Sequence, residues 1–308
     1  MWERDDCSCC AGLRDSRRLG GVLTALLLMG LLFVGPAASQ AASGAALRLA
    51  ILPCTDVVKT YEAFLPLAGY LEGRLGRKVE LLVPKDFSEF EGFVEAGRVD
   101  FAFQAPHTYV RLANLYNRKL LVKARTPEGE VLHRGVIVVR RDSGITRIEE
   151  LKGKSLLFGP KLSTAKWIAA RDLLFEKGVD LNKDLKRYAN GTSCEAIALQ
   201  VYLKNFDAGA LCDYSFAELA SAENKDEDAI PVDQLVVIGR TWAMPTWVLA
   251  FRREMDPALA ARVQAALLAL ESGRKEDMEI LEPIETGGFA PALDSDYDEL
   301  RQRVGQAE

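Results

Sequence analysis

The chain has 308 residues, of which 49% are hydrophobic and 27% are charged, so it can bury a large core and is not a disordered protein. Its formal net charge is −5, and nothing in it indicates a nucleic-acid partner, because nucleic-acid-binding proteins gather Lys and Arg on one basic face. Only two histidines are present, which leaves little material for a histidine-based catalytic or metal site.

The first 41 residues differ from the rest. Arg14, Arg17 and Arg18 precede an apolar run from 22 to 34, and small residues follow up to Ala41. This order is typical of a secretory signal peptide. A membrane anchor is the alternative, but the run is shorter than the roughly 20 apolar residues that a spanning helix needs. We therefore expect residues 1–41 to be a signal peptide and the protein to be periplasmic.

From residue 47 onward, short apolar runs alternate with helical periodicity, which is typical of a largely parallel sheet covered by helices. The pattern predicts strands at 47–52, 80–83 and 100–103. Two helices separate them, and the second carries Phe87. On the first helix, apolar residues recur at steps of three and four and predict one buried stripe, namely Tyr61, Phe64, Leu65, Ala68, Leu71 and Leu75.

The same alternation restarts after a turn-rich stretch at 126–129. It predicts further strands at 136–139, 155–158, 208–211, 235–238 and 247–251, with a polar loop at 222–228. Asp256 and Pro257 then begin a helix that is expected to reach about Ser272.

These elements predict an α/β fold of two lobes with a hinge and a ligand cleft between the lobes. Residues 47–132 are expected to form the first part of lobe 1, 133–237 lobe 2, and 238–308 the return to lobe 1 and C-terminal helices. Ligands in such sheets gather beyond the carboxyl ends of the strands. The cleft is therefore the expected site.

Enzyme signatures are few in the sequence. Gly153-Lys154-Ser155 resembles the end of a phosphate-binding loop, but Ile148 stands where that motif needs its first Gly. No serine-hydrolase, zinc-protease or dinucleotide-binding motif appears. We therefore expect a protein that is not an enzyme and that uses no cofactor and no metal.

The segment from Phe158 to Ala165 is the most informative one. It predicts a strand end, a loop and a helix start, where unpaired N–H groups and the helix dipole hold an anion without a lysine as counter-ion. Ser163 and Thr164 add two hydroxyl donors. Alternatively, one of these two residues only caps its own helix.

Three cysteines lie outside the leader, namely Cys54, Cys194 and Cys212. Three is an odd number, so in an oxidising compartment at least one thiol stays free or pairs with another molecule. Packing as a small buried residue explains Cys54, and a disulfide explains Cys194 and Cys212.

The sequence from Leu47 to Phe251 resembles the phosphonate-binding periplasmic proteins of ABC importers, which have the type II periplasmic binding-protein fold. Seven segments carry the resemblance, namely Tyr61–Gly76, Arg98–Ala102, Gly135–Arg140 with Asp142–Ile145, Leu151–Lys154, Ser163-Thr164, Phe206–Ala210 and Trp247–Arg252.

The resemblance implies a set of ligand-binding positions. In the family, the Ser-Thr pair at the helix start grips the phosphonate oxygens, and this implies the same role for Ser163 and Thr164, with the backbone at Ala165. Other positions depart from the family pattern: Phe87 and His133 replace tyrosines, Cys194 replaces a histidine, and Asp213 or Tyr214, and Thr246, fall where acidic groups hold a substrate amine.

These departures favour a compact oxyanion without an amine, such as a phosphonate, phosphite or phosphate, with His133 as a donor. Unless Asp213 points inward, no carboxylate is evident to pair with a buried ammonium. Because related proteins sense arsenite and thiols select soft centres, Cys54 and Cys194 are alternative thiol ligands.

The expected protein is a monomer that delivers its ligand to an ABC transporter permease. The alternatives are a ligand sensor that signals to a membrane sensor kinase and, less in keeping with the missing histidine motifs, a pyrimidine-precursor synthase of the same fold.

Overall fold

The structure is a computed structural model that describes residues 44–53, 56–221 and 231–305. The predicted signal peptide, Cys54 and the predicted polar loop at 222–228 lie outside the described residues. Within these three ranges, every helix is too short or too polar to cross a membrane.

The first part of the chain alternates strands and helices. In chain order it forms β1 (Leu47–Ile51), α1 (Val57–Leu75), β2 (Val79–Leu82), α2 (Phe87–Glu95), β3 (Phe101–Gln104), α3 (Pro106–Leu112) and β4 (Tyr116–Ala124). The short strand β5 (Leu132–His133) follows.

The middle part repeats this alternation. It forms β6 (Gly135–Arg140), β7 (Ser155–Phe158), a π-helical turn (Thr164–Ala169) that continues into α4 (Ala170–Glu176), β8 (Arg187–Asn190), α5 (Cys194–Tyr202), β9 (Ala208–Cys212), α6 (Asp213–Leu219) and β10 (Leu235–Arg240). The last part forms β11 (Met244–Pro245), β12 (Val248–Arg252), α7 (Pro257–Leu268), α8 (Lys275–Leu281), β13 (Phe289–Ala292) and α9 (Asp298–Gly305).

Two sheets form the centres of two lobes, which confirms the predicted α/β architecture. The first sheet has the strand order β13-β4-β12-β3-β1-β2, and the second has the order β10-β6-β9-β7-β8. In each sheet only three strands run parallel: β1 pairs with β2 and β3, and β7 pairs with β8 and β9. The expectation of largely parallel sheets was therefore wrong, because the strands that enter and leave each lobe pair antiparallel with the parallel ones.

Apolar side chains cover both faces of each sheet. In β1, Leu49 lies in the cluster on one face and Ala50 in the cluster on the other. In β6, Ile137 and Val138 divide in the same way. Successive side chains of a strand point to opposite faces, so these strands are nearly continuous apolar runs.

The two lobes are joined by a narrow ribbon in which β5 pairs antiparallel with β11 through Met244 and His133. The predicted end of lobe 2 after residue 237 falls inside β10, which pairs with β6 from Leu235 to Arg240 with a bulge between Val237 and Gly239. The chain therefore returns to the first lobe after Arg240, through β11.

Helix α1 shows how capping sets an element in place beside the cleft. Asp56 accepts hydrogen bonds from the amides of Val58 and Lys59 at its start, and Gly76, with φ 64°, ends it in the left-handed region. The predicted stripe was partly wrong, because Tyr61 and Leu65 are 44% and 46% exposed. The remaining members of the stripe pack on the first sheet, together with Leu67.

Candidate functional site

A cavity of about 560 Å³ lies between the two lobes. Each of the six parallel strands contributes its carboxyl-end junction to the wall: Asp56 follows β1, Phe87 follows β2, Pro106 follows β3, Ser163 follows β7, Cys194 follows β8 and Tyr214 follows β9. Helix N-termini from both lobes therefore point at one space, and their unpaired amides favour negative charge there.

Ser163, Thr164 and Ala165 line this cavity and are almost fully buried. Ser163 Oγ accepts a hydrogen bond from the amide of Lys166 at 3.3 Å, so Ser163 caps the helical segment. Thr164 Oγ1 accepts one from the amide of His107, in the other lobe, at 3.1 Å. Each hydroxyl still has its own hydrogen to donate, so capping and anion binding are compatible at these residues.

The position of Ala165 depends on a glycine. A Cβ on Gly135 would lie 2.5 Å from the carbonyl oxygen of Ala165 and 2.9 Å from Thr241 Cγ2. Real side chains do not approach a backbone atom so closely, so the π-helical turn can sit against β6 only because residue 135 has no side chain.

Lys166 brings a cation to the cavity wall, where the sequence interpretation expected none. Lys166 is 5% exposed, and its Nζ donates to the carbonyl of Thr192 at 3.1 Å. The aliphatic stem crosses Gly159, where a Cβ would lie 2.5 Å from Lys166 Cβ. Two features of the sequence could have indicated this lysine: Lys166 lies in the same turn as Ser163, and Gly159 precedes that turn at the end of the strand.

His133 lies in the ribbon between the lobes and also lines the cavity. It is 5% exposed, and neither ring nitrogen has a hydrogen-bond partner in the described structure. Burial lowers its pKa from 6.5 to about 4, against the opposing effect of Asp213. The ring is therefore neutral near pH 7, with one N–H to donate and one nitrogen to accept.

Cys194 and Cys212 both line the cavity as buried thiols and are not joined by a disulfide. The sulfur of Cys194 accepts a hydrogen bond from the Cys212 amide at 3.4 Å. Cys194 is the first residue of α5, and Cys212 is the last residue of β9. The predicted alternative, a disulfide between Cys194 and Cys212, is therefore not present in this structure.

Three of the other expected positions line the cavity and one does not. Phe87 and Tyr214 line the cavity, and Tyr214 meets the ring of His133 edge-on with 5.6 Å between centroids. Thr246 also lines it, but its hydroxyl donates to the carbonyl of Ala124 and so braces the return strand. Asp213 is not among the lining residues; its carboxylate accepts from the Tyr214 amide at 2.9 Å, because Asp213 begins α6.

Carboxylates nevertheless line the cavity at positions that the sequence interpretation missed. Glu195 follows Cys194 on α5, and Glu285 sits in a left-handed turn with φ 52° after α8. The Glu285 side chain reaches solvent within the cleft, but surrounding protein raises its pKa to about 7, with Glu218 and Glu195 adding to the effect. The expectation that only Asp213 could face an ammonium was therefore wrong.

Comparison with known proteins agrees with this architecture. Residues 49–297 match the family model described as ABC transporter, phosphonate, periplasmic substrate-binding protein. A binding-protein component of an ABC phosphonate transporter from Pseudomonas aeruginosa superposes with a TM-score of 0.71 at 17% identity, covering 84% of this chain and 85% of that one. PhnD1 of Prochlorococcus marinus, in complex with methylphosphonate, gives 0.74 at 15% identity, covering 85% and 98%.

A curated relative has a different context. The tetrathionate sensor histidine kinase TtrS of Salmonella typhimurium is 24% identical over 235 residues, covering 71% of this chain. The match spans only 39% of that kinase, so this chain corresponds to part of it.

The two lobes, the ribbon between them and the cavity at the strand ends define a solute-binding protein of the type II periplasmic class. With its match over residues 49–297, the chain belongs to the family of periplasmic substrate-binding proteins of phosphonate ABC transporters.

Proposed function

We propose that this protein captures a small oxyanion of the phosphonate, phosphite or phosphate class in the periplasm by closing its lobes, without catalysing a reaction. The carrying observation is the group of donors at 163–166, where two hydroxyls, a helix start and the Lys166 ammonium meet in a cavity between lobes. Oxyanions are held by such combinations of backbone amides, hydroxyls and cations.

The contact between Thr164 and His107 supports a role for lobe closure. It joins the candidate anion-binding turn of lobe 2 to the start of α3 in lobe 1. A ligand held by the 163–166 turn that also reaches lobe 1 would favour the closed arrangement in the same way, because a ligand stabilises the state in which it makes more contacts.

His133 completes the proposed site as a neutral donor. An oxyanion gains a hydrogen bond from its single N–H, and the ring gains a hydrogen-bond partner that none of the described residues provides. Phe87 and Tyr214 bound the space around a ligand's carbon substituent, while Glu195 and Glu285 set a negative rim that disfavours solutes with a second anionic end.

Two partners fit this role. Family membership favours an ABC transporter permease that accepts the closed, loaded form. The similarity to a sensor histidine kinase supports a second candidate, in which a monomer of this chain senses its ligand and signals to a membrane kinase.

Isothermal titration of the purified protein with phosphate, phosphite, methylphosphonate, arsenite and tetrathionate tests the proposal. We expect binding of one of the phosphorus oxyanions. The double variant Ser163→Ala/Thr164→Ala should bind it about a hundredfold more weakly, because hydrogen bonds to a charged group contribute about 1.5 kcal/mol or more each.

The matched control is Ser143→Ala/Thr146→Ala, a Ser/Thr pair on the exposed surface of the same lobe. It should bind as the unaltered protein does. Equal affinity of the two double variants would move the anion site away from residues 163 and 164, and binding of none of the five solutes would remove the proposed class. Turnover of a phosphorylated substrate would show an enzyme instead.

A further inference from the structure

The two cavity thiols are in direct contact. Cys194 Sγ lies 3.4 Å from the amide nitrogen of Cys212 and also receives a hydrogen bond from the Cys212 thiol. A third donor is the hydroxyl of Ser215, one turn into α6. Three donors around one buried sulfur form an environment that stabilises a thiolate rather than a thiol.

The charges around this sulfur favour the same state. The Cys212 thiol lowers the pKa of Cys194 to about 6, against burial and with help from the Lys166 ammonium. Cys194 in turn helps to raise the pKa of Glu285, which lies on the same cavity. At pH 7 the thiolate and Glu285 therefore compete with any bound anion for the charge of Lys166.

We propose that Cys194 and Cys212 form a redox pair inside the ligand cleft, and that oxidation of this pair to a disulfide strengthens anion binding at the 163–166 turn. The affinity part of this inference rests on the proposed function, whereas formation of the disulfide does not.

The oxidation balances with a small disulfide as the oxidant. The Cys194 thiolate attacks one sulfur of that disulfide, forms a mixed disulfide and releases one thiolate. The Cys212 thiol then loses its proton to solvent and attacks the Cys194 sulfur, which releases the second thiolate. One oxidant accepts two electrons, one proton leaves from Cys212, and the product is lighter by two hydrogens than the protein with both thiols protonated.

Oxidation changes the cleft electrostatically. A disulfide carries no charge, so it removes the negative charge beside Lys166 and leaves the ammonium to interact with the ligand. Solvent in the cleft screens a part of the interaction between these charges. We therefore expect about a tenfold gain in affinity.

The first test asks whether the pair forms. The purified protein is equilibrated with oxidised and reduced glutathione, remaining thiols are alkylated, and the digested peptides are identified by mass spectrometry. The expected product is one linked pair of peptides containing Cys194 and Cys212, lighter by two hydrogens. The same linked pair should form equally in a Cys54→Ser variant. This control excludes pairing with Cys54, the third cysteine outside the predicted signal peptide. Alkylation of both residues under oxidising conditions would overturn the redox pair.

The second test measures anion affinity of the oxidised and reduced forms by titration with methylphosphonate and phosphate at pH 7.5. The oxidised form should bind about tenfold more tightly, and Cys194→Ser and Cys212→Ser variants should show no response to oxidant. Equal affinities of the two forms, or tighter binding by the reduced form, would overturn the affinity part. If neither form binds either anion, the proposed function fails with it, while the peptide result still decides whether the pair forms.

Discussion

The neutral, buried His133 gives a prediction that needs no ligand. Its pKa is lowered by burial from 6.5 to about 4, so between these values the unfolded chain binds a proton that the folded protein does not. Stability from this residue is complete above pH 6.5 and is lost as the pH falls toward 4. Linkage between these two pKa values gives a loss of about 2 kcal/mol of unfolding free energy between pH 7 and pH 5.

Urea unfolding at pH 7 and pH 5 measures this loss in the unaltered protein and in a His133→Asn variant. Asparagine does not titrate, so the variant should lose about 2 kcal/mol less over the same interval. His107, whose pKa burial also lowers to about 4, is present in both proteins and cancels in the comparison. Equal losses in the two proteins would refute a neutral His133 and, with it, the neutral donor in the proposed site.

Two further substitutions test how the site is held. Gly135→Ala should lower the free energy of unfolding by about 1 to 3 kcal/mol and weaken anion binding, because the new Cβ meets a backbone oxygen at 2.5 Å; thermal unfolding and titration measure both. Its control, Gly69→Ala, meets nothing within 4 Å in α1 and should be neutral or stabilising, so equal losses would contradict the close contact. Arg303→Ala removes the contacts of α9 with Glu176, at 3.2 Å, and with the Trp242 ring. Because the ion pair is exposed, titration should show that anion affinity changes by less than about threefold. A larger change would give α9 a role in lobe closure.

The sequence predicted five of the six parallel strands, because those five carry their signal locally. The strand at 155–158 has three consecutive apolar residues after Ser155 and a turn on either side, and the structure has β7 at the same residues. Strands β4, β8 and β13 were missed, as were the two-residue strands β5 and β11. β4 begins with polar residues, and β13 contains Pro291 at the edge of its sheet; both are stabilised by pairing with each other, which a local pattern does not reveal.

Helix ends show the same limit. Asp256 was predicted to cap α7, and it does accept a hydrogen bond from the Ala258 amide. The helix stops at Leu268 rather than near Ser272, because the chain turns there toward α8, and the Glu271 amide donates to the Asp277 carboxylate at 2.9 Å. That contact depends on a residue six positions ahead, which no periodicity of the helix itself indicates.

Some residues of the candidate site could be found from the sequence and others could not. Ser163 could be found because a predicted strand followed by a helix places its junction at the cleft, whereas Cys194 was found through the family resemblance. Glu285 could not, since it reaches the cavity through an irregular turn after α8. Two of the missed residues, Lys166 and Glu285, are charged. In the proposed site Lys166 supplies a cation, while Glu285 and the Cys194 thiolate oppose it. We therefore expect anion affinity in the proposed site to depend on the protonation of Glu285 and on the oxidation of Cys194, as well as on the hydroxyl pair.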